Sequence, residues 1–459
     1  MSTEDAILGL SEHVARTGYK DLPPAAIEAT KTFLLDTIGV GVAGSAGPWV
    51  EDLVGCLAGW GASDQATVFA RNTRFPAPAA ALANAYQTHN SEFDCVHEGA
   101  VVHAMTAVLS ATLAHAERQG GVPGKEFITA LALGVDVACH IGAATRSPLK
   151  FFRPGTAGGF GATAAIGKLM GFDAATMVRA MGIAYGQMCG TMQAHTEGSI
   201  LLGLQVGFNA RNALIACDLA ARGVPSVEHV LEGPFGYFRL FEGEHDATAI
   251  REAPGRIWRV TELSHKPFPA GRATHGIIDA LLELQRRSGS VAGDVEQVTA
   301  SVPSLVHHLV SRPIIERPEP GYARLCAAYV GARALLRGTV ELEDFRPPAL
   351  TDPATHALAR RFEMTVDGNP DPNALGPVTV SVELRGRRQR QELRVDHMYG
   401  SPARPMSRDA HLAKFRRNWV SGARRLDEAT GERLIHLVDD VEALSDVRDL
   451  ARLTRAESA

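Results

Sequence analysis

One short segment concentrates side chains that can move protons. Residues 93–105 read FDCVHEGAVVHAM and place Asp94, His97 and His103 just before an apolar, alanine-rich run. The spacing Asp-x2-His-x5-His is not a recognised metal signature, and no further Cys or His cluster in the sequence offers a third and fourth ligand, so no metal is predicted. His103 falls near the first turn of a predicted buried helix, where the helix dipole disfavours imidazolium. A neutral imidazole can act as a general base at pH 7. The competing interpretation is structural: Asp94 and Glu98 serve helix starts, and His97 is hydrogen-bonded behind them.

A second segment carries cationic and protonatable groups. Residues 264–284 read SHKPFPAGRATHGIIDALLEL, in which two prolines and a glycine predict a rigid loop bearing Lys266, Arg272 and His275. The loop lies where the composition of the chain changes, and clefts between domains are the usual small-molecule sites. These side chains suit a substrate with carboxylates. A solvated basic loop that only links two domains is an equally good interpretation.

A glycine-rich run and a tyrosine complete the candidates. GTAGGFG, at residues 155–161, is similar to a phosphate-cradling loop but lacks the GK[ST] ending, so a nucleotide site is not favoured. The glycines are expected to let a helix N-terminus approach a ligand or a neighbouring helix, with Arg153 and Thr156 pointing into that space. Tyr329 falls on a buried helix face, where a tyrosine is more often core than catalyst.

Two kinds of periodicity organise the elements that must position these groups. Apolar spacings of three and four residues predict helices at 25–44, 106–119, 125–145, 161–170, 174–188 and 202–222. Several of these helices are apolar around most of their circumference, which is typical of helices inside a large helical body. Alternating patterns predict strands at 295–302, 362–368 and 377–395, with Arg385-Gly386-Arg387 at a hairpin tip. Further helices are predicted at 323–337, 411–419 and 427–441.

These elements predict a mainly α protein of two domains. Residues 1–265 form a large all-helical domain, completed by residues 405–459, and residues 266–404 form a smaller α+β domain. The length of 459 residues also favours two domains over one core.

Composition excludes several classes of function. The formal net charge of -5 offers no basic footprint for nucleic acid or an anionic membrane. The N-terminus has acids where a signal peptide carries positive charge, and the most apolar stretches are interrupted by Lys168, Gln187 or Gln193. Six scattered cysteines without a CxxC pair are typical of reduced thiols. A soluble cytoplasmic protein without a disulfide framework or a zinc signature is expected.

Taken together, the motifs resemble the MmgE/PrpD family, which includes 2-methylcitrate dehydratase, cis-aconitate decarboxylase and iminodisuccinate epimerase. The resemblance covers nearly the whole chain and rests on segments in a common order: LLDTIGVGVAG, FDCVHEGAVVH, GFGATAAIGKLMGFD, GSILLGLQVGFNARNALIACDLAARGV, VLEGPFGYF, HKPFPAGRATHGIID and GSPARPMS. It implies a helical domain with a smaller α+β lid, a site between them, a homodimer, and no metal or organic cofactor.

The resemblance also implies a set of site residues. It assigns catalytic positions to Asp94, His103, Lys266, His275 and Tyr329, all of which match the family in type. Two positions depart from the pattern: Arg153 stands where relatives often have a histidine, and Leu202 where relatives carry a lysine, with Gln205 at a nearby histidine position. Arg153 restores a positive charge but cannot act as a base. Arg272, Thr156 and His97 complete the predicted substrate-binding set.

Three functions follow as expectations from the resemblance. The first is a lyase, either a dehydratase or a decarboxylase, in which His103 abstracts a proton next to a carboxylate of a small di- or tricarboxylate. Lys266, Arg272 and Arg153 would neutralise the carboxylates, and Tyr329 or His275 would protonate the leaving group. The second is an epimerase of a small dicarboxylate, with Lys266 as one of two facing groups. The third is a non-catalytic carboxylate-binding protein.

Overall fold

The computed structural model describes residues 5–386 and 390–456, and helices make up most of its regular structure. The helices of the first part of the chain are α1 (Ala6–Arg16), α2 (Pro24–Gly44), α3 (Val50–Trp60), α4 (Ala77–His89), α5 (Ala104–Gln119), α6 (Gly124–Ala143), α7 (Arg153–Leu169), α8 (Ala174–Tyr185), α9 (Gln193–Glu197), α10 (Leu201–Ala221) and α11 (Ala247–Glu252). Those of the second part are α12 (His275–Ser288), α13 (Ser304–Val310), α14 (Pro320–Arg324), α15 (Ala327–Arg337), α16 (Pro347–Leu350), α17 (Pro353–Ala359), α18 (Arg408–Trp419), α19 (Glu428–Asp439) and α20 (Arg448–Leu453).

The helical body is centred on α7, which packs on α5, α6 and α10, while α4 packs on α5 and α10. Small residues allow this packing: a Cβ atom added at Gly161 of α7 would lie 2.4 Å from the carbonyl oxygen of Gly134 on α6. The glycine-rich run is therefore part of α7 and packs against neighbouring helices. Helix α6 is long and apolar enough to cross a membrane by length and composition, but 89% of its most apolar window is buried inside the protein, as in a core helix.

The strands are short outside one sheet. They are β1 (Ala66–Thr67), β2 (Arg74–Phe75), β3 (Val96–His97), β4 (Leu263–Ser264), β5 (Val295–Val302), β6 (Phe362–Val366), β7 (Val378–Leu384) and β8 (Gln391–Val395). The last four form a mixed sheet in the order β6-β5-β7-β8, with β5 and β6 parallel and the other pairs antiparallel. Helix α12 packs on β7 and β8, and α15 packs on α12. This confirms the predicted strands, although Arg387 of the predicted hairpin tip lies outside the described residues.

The helices at the end of the chain return to the first part of the protein. Helix α18 packs on α2, and α20 packs on α5. The contacts agree with the expectation that residues 405–459 complete the helical domain, while the domain bounds themselves stay a prediction. The helical part is not purely helical, because the two-stranded pairs β1–β2 and β3–β4 lie within or beside it.

The pair β3–β4 brings the two chemistry-bearing segments together. Val96 pairs with Ser264 and His97 with Leu263 in antiparallel register. The segment that carries Asp94 is thereby hydrogen-bonded to the segment that leads into Lys266. Because β3 is followed by a tight loop closed between His97 and Val102, His103 is placed directly before α5.

Candidate active site

Asp94 is the centre of a buried polar cluster. Its Oδ2 atom lies 2.8 Å from Nδ1 of His89 and 3.2 Å from Nδ1 of His103, and it accepts a hydrogen bond of 2.5 Å from the Thr106 hydroxyl. His89 ends α4 and His103 is the residue before α5, so two helix ends converge on one carboxylate. With Nδ1 directed at Asp94, His103 has its other ring nitrogen, Nε2, available for chemistry. A carboxylate that fixes an imidazole in this way is a common device for positioning a base.

The two histidines experience opposite electrostatic effects. Burial lowers the pKa of His103, Asp94 opposes that shift only in part, and Lys266 adds to it. Burial also acts to lower the pKa of His89, but Asp94 and Glu92 outweigh it and raise that pKa above its ordinary value. Burial acts to raise the pKa of Asp94, yet the neighbouring imidazoles of His103 and His89 hold it well below its usual range. The cluster therefore favours a neutral His103 beside a protonated His89.

Lys266 lies against the same cluster. Its ammonium group donates a 2.8 Å hydrogen bond to Oε2 of Glu92 and lies 3.8 Å from Oδ1 of Asp94. Burial acts to raise the pKa of Glu92, but Lys266 and the two histidines lower it to about 2. An ammonium held by two carboxylates fits a fixed positive charge better than a base.

Backbone strain marks the same place. Glu92 and Val101 have φ angles of 51° and 54°, in the left-handed region that side-chain-bearing residues rarely adopt. The strain is greatest for Val101, because its side chain is β-branched. Strained residues of this kind cluster at functional sites, where surrounding structure holds them in place.

A pocket of about 70 Å³, partly open to solvent, lies beside the cluster. Glu92, His103, His195 and Arg272 supply its polar and charged lining, and most of the remaining wall is apolar. A second pocket adjoins it, since Glu92, Leu202 and Leu325 line both. His89 lines the second pocket.

The Lys266 loop contributes Arg272 to the pocket but not His275. Arg272 donates to Oε1 of Glu98 at 2.9 Å and to the carbonyl oxygens of His265 and Tyr399. His275 is fully buried, with Nε2 3.1 Å from the Ala270 carbonyl oxygen and Nδ1 3.3 Å from Arg272. Burial and the charge of Arg272 hold the pKa of His275 well below its ordinary value, so it is not placed to donate a proton to a leaving group.

The predicted carboxylate anchor Arg153 is occupied elsewhere. It is fully buried and its Nε donates to both carboxylate oxygens of Glu242, at 3.1 and 2.9 Å. Thr156 lies 3.0 Å from the Tyr237 hydroxyl, which in turn donates to Glu242. Neither residue is among those that line the pocket in the described chain, so this geometry does not support their predicted contact with substrate.

Two further predicted residues are held by the protein itself. His97 accepts a hydrogen bond from the Ala100 backbone and lies 2.8 Å from Oε2 of Glu262, which fixes the loop after β3. Tyr329 is buried in a separate apolar cluster and donates its hydroxyl proton to the Asp344 carbonyl oxygen at 2.6 Å. Burial raises the pKa of that hydroxyl. These contacts agree with the structural interpretation of both residues.

Sequence reasoning did not identify four groups that the structure places at the site: His89, Glu92, His195 and Arg324. His89 and Glu92 lie three positions apart, just before residues 93–105, and this spacing is the signal in the sequence that could have identified them. His195 lines the pocket, and Arg312 lies 3.2 Å from its Nδ1. Burial and the charge of Arg312 lower the pKa of His195 to about 3.

Arg324 is a buried cation whose Nε and one terminal nitrogen have no hydrogen-bond partner among the described residues. Burial lowers its pKa to about 10, and Glu92 and Tyr86, which line the second pocket, oppose that shift. Its chain neighbour Leu325 lines both pockets. A buried guanidinium with free donors beside a pocket is suited to a carboxylate ligand.

The structure brings a third possible metal ligand, His89, next to Asp94 and His103. Ligand atoms of His89, Asp94 and His103 lie within 4.8 Å of one another, although the sequence spacing offered only two of these side chains together. The ammonium of Lys266, 3.8 Å from Asp94, disfavours a divalent cation there by like-charge repulsion. The expectation of no metal stays a prediction.

Comparison with known proteins gives two family matches. Residues 9–249 match the MmgE/PrpD N-terminal domain, and residues 268–442 match the MmgE/PrpD C-terminal domain. The boundary between the two matches falls next to Lys266, at the chain segment that completes the polar cluster.

Curated relatives are fungal. The chain is 30% identical over 361 residues to the cis-aconitate decarboxylase-like protein oryM of Aspergillus oryzae. The matched region covers 74% of this chain and 75% of the relative. It is 29% identical over 282 residues to a cis-aconitate decarboxylase of Aspergillus terreus. That matched region covers 58% of this chain and 57% of that relative.

Proposed function

Because the chain belongs to the MmgE/PrpD family, we propose that it is a lyase acting on a small di- or tricarboxylate, of the decarboxylase or dehydratase type. The observation that carries the proposal is that two imidazoles in contact with Asp94 have pKa values shifted in opposite directions, up for His89 and down for His103. When neighbouring groups push two titratable side chains apart, one becomes the base and the other the acid.

In the dehydratase form, Nε2 of His103 takes the proton next to a substrate carboxylate. The electron pair left on carbon moves into that carboxylate. Arg272 in the pocket wall stabilises the added negative charge directly, and the buried ammonium of Lys266, which is not among the lining residues, does so at longer range. The carbon–oxygen bond then breaks, and the departing hydroxyl takes a proton from His89 and leaves as water. His89 replaces the acids expected from the sequence, since Tyr329 and His275 are hydrogen-bonded away from the pocket.

In the decarboxylase form, the carbon–carbon bond to a carboxylate breaks and CO2 leaves. The electron pair stays on the remaining carbon framework, which takes a proton from protonated His89. Arg324 is the proposed site for a carboxylate that remains on the substrate: two of its buried guanidinium nitrogens have no hydrogen-bond partner among the described residues, and its chain neighbour Leu325 lines both pockets. Curated cis-aconitate decarboxylases among the relatives support this form.

An epimerase is the second candidate, and one observation favours it. His103 and His195 both line the pocket, so two imidazoles face the same space. One of them would remove the proton and the protonated form of the other would return one. In this form His103 and His195 are the two facing groups, whereas the sequence analysis expected Lys266 to be one of them.

A single experiment separates these functions. Candidate di- and tricarboxylates, including cis-aconitate, are incubated with the protein in deuterated water and followed by NMR. Release of CO2 with incorporation of deuterium into the product, or release of water, supports the lyase. Exchange with scrambled stereochemistry and no elimination supports the epimerase, and binding without exchange or elimination contradicts both. Homodimer formation and a cytoplasmic location stay predictions from the sequence.

A further inference from the structure

A buried ion pair lies next to the segment that carries Asp94. The ammonium of Lys414, on α18, lies 2.8 Å from Oδ1 of Asp36, on α2, and both side chains are only 1% exposed. Neither residue lines either of the two pockets beside the Asp94 cluster. A substrate seated there does not touch the pair, so any effect of the pair on the site acts through the residues that it contacts.

Possible metal ligands surround this pair, but its charge disfavours a metal. Ligand atoms of Asp36, His265 and His411 lie within 4.8 Å of one another. Burial lowers the pKa of His265 to about 3 and that of His411 to about 4, although Asp36 opposes both shifts. The ammonium of Lys414 repels a divalent cation at Asp36, as that of Lys266 does at Asp94. The contacts that the ammonium itself makes are therefore the ones that matter.

Lys414 reaches the catalytic cluster through the backbone. Its ammonium donates a 3.0 Å hydrogen bond to the carbonyl oxygen of Phe93 and lies 4.2 Å from the centre of the Phe93 ring. Phe93 stands between Asp94 and Glu92, whose φ angle of 51° is strained. The Phe93 carbonyl belongs to the planar peptide unit that leads into Asp94. A hydrogen bond to this carbonyl therefore fixes the backbone from which the Asp94 carboxylate projects.

The same two helices also hold the segment that carries Lys266. The ring of His265 packs on Phe33 of α2 and on His411 of α18, with ring centres 4.6 and 4.9 Å apart. The His265 backbone N–H donates to the Gly400 carbonyl oxygen at 2.9 Å. Gly400 has a φ angle of 89°, and a Cβ atom there would lie 2.6 Å from the His265 carbonyl oxygen. Helices α2 and α18 thus support both segments that meet at the Asp94 cluster.

Stability alone does not require a charged pair at this place, because well-packed apolar side chains often replace a buried ion pair without loss of stability. We propose that Lys414, held by Asp36, is a positioning residue for the Asp94 carboxylate. It keeps that carboxylate in contact with His89 and His103. The effect on turnover rests on the proposed function, whereas the positioning itself does not.

The test removes both charges together. Lys414→Met alone leaves the Asp36 carboxylate buried without its partner, which is strongly destabilising, so the variant is Lys414→Met with Asp36→Leu. One positive and one negative charge are lost, so the net charge stays the same. Both proteins are labelled with 15N in histidine and titrated by NMR, and the signals of the cluster are assigned with His89→Gln and His103→Gln.

A displaced Asp94 carboxylate stabilises the neighbouring imidazolium less. The midpoint of the cluster titration should therefore fall by at least about 0.5 pH unit in the double variant. On a substrate identified by NMR, kcat should fall about tenfold while KM changes less than about twofold, because a catalytic group is misplaced and no substrate contact is lost.

The two readouts keep the two hypotheses apart. A lower midpoint, with no turnover of any candidate carboxylate by the unmodified protein, supports the positioning role and contradicts the lyase. Turnover by the unmodified protein together with an unchanged midpoint in the double variant supports the lyase and overturns the positioning role, whatever happens to kcat. A double variant that does not fold also overturns it, because the pair would then be required for stability.

The matched control is an ion pair elsewhere in the helical body. Arg118 on α5 and Asp218 on α10 share two hydrogen bonds of 2.8 Å, and neither residue lines a pocket beside the Asp94 cluster. Arg118→Met with Asp218→Leu should leave the midpoint and kcat unchanged. An equal shift in both double variants would mean that the loss of any ion pair disturbs the site, and the inference would fall.

Discussion

Two of the buried ionic clusters among the described residues differ in how fully their polar atoms are satisfied. Arg153, Glu242, Tyr237 and Thr156 form a closed set in which each side chain has a hydrogen-bond partner. In the cluster around Asp94, the Nε2 atom of His89 and the Oδ1 atom of Asp94 are buried without a hydrogen bond. The first cluster joins elements of the fold, and the second lies at a pocket with capacity for a ligand. Burial of charge alone therefore does not distinguish a structural site from a chemical one.

The largest expected effect comes from opening the closed cluster. Glu242→Ala leaves the Arg153 guanidinium buried without its carboxylate, which should lower the free energy of unfolding by about 3–5 kcal/mol. Turnover by the folded fraction at low temperature should change little. Denaturant unfolding and activity are measured on the same sample. As a control, Arg153→Met with Glu242→Met removes both charges and should recover most of the stability. A loss of turnover that exceeds the loss of folded protein would place this cluster in the active site.

The next effect tests the pKa split. The reaction needs a neutral His103 and a protonated His89, so the plot of kcat/KM against pH should be bell-shaped. On the acidic limb, at a pH under about 6.5, kcat/KM falls because His103 becomes protonated. On the alkaline limb, at higher pH, kcat/KM falls because His89 loses its proton. Asp94→Asn removes the charge that raises both pKa values. Both limbs should therefore move to lower pH, and kcat should fall about 100-fold.

The matched control for the pH experiment is Glu262→Gln, which removes a carboxylate from His97, a residue outside the pocket lining. Its pH profile should equal that of the unmodified protein. If the limbs of Asp94→Asn stay in place, or move to higher pH, Asp94 does not set the protonation of the two histidines. The limbs report the coupled cluster as a whole.

A smaller effect is expected at Arg324. Arg324→Met removes the free guanidinium donors, and KM for a polycarboxylate should rise about tenfold with kcat nearly unchanged, because a hydrogen bond to a charged group is lost. Arg324→Lys should recover part of the loss. An unchanged KM would mean that this cation does not contact substrate.

The smallest effect is expected at Tyr329. Its hydroxyl binds the Asp344 carbonyl oxygen inside an apolar cluster, so Tyr329→Phe should cost about 1 kcal/mol of stability. Turnover should change less than about threefold. A loss of 100-fold or more in kcat would restore the catalytic role implied by the family resemblance.

Periodicity predicted most of the fold and little of the pairing of charges. The strand at 295–302 and the helix ending at Gly44 follow directly from alternation and helical spacing. The glycine-rich run agrees with the predicted close approach of a helix to its neighbour, as at Gly161 and Gly134, although α7 begins at Arg153 and the predicted helix began at residue 161. His103 and Lys266 were identified by type and by resemblance.

The partners of those residues depend on distant contacts that local patterns do not contain. Glu92 and Lys266 are 174 positions apart, and Arg153 and Glu242 are 89 apart. Arg153 looked like a substrate anchor because its carboxylate partner was invisible in its own segment. The unpartnered nitrogens of Arg324 likewise emerge only when the surrounding atoms are in place.

The central claim is that His103 is the base that takes the proton next to a substrate carboxylate in the dehydratase form, and deuterium exchange tests it most directly. A substrate identified by NMR is incubated in deuterated water with the protein and with His103→Ala, after unfolding curves show that both are equally stable. The account predicts that the variant still binds the substrate but lowers exchange and turnover at least about 100-fold. Exchange by His103→Ala at a near-normal rate would contradict it.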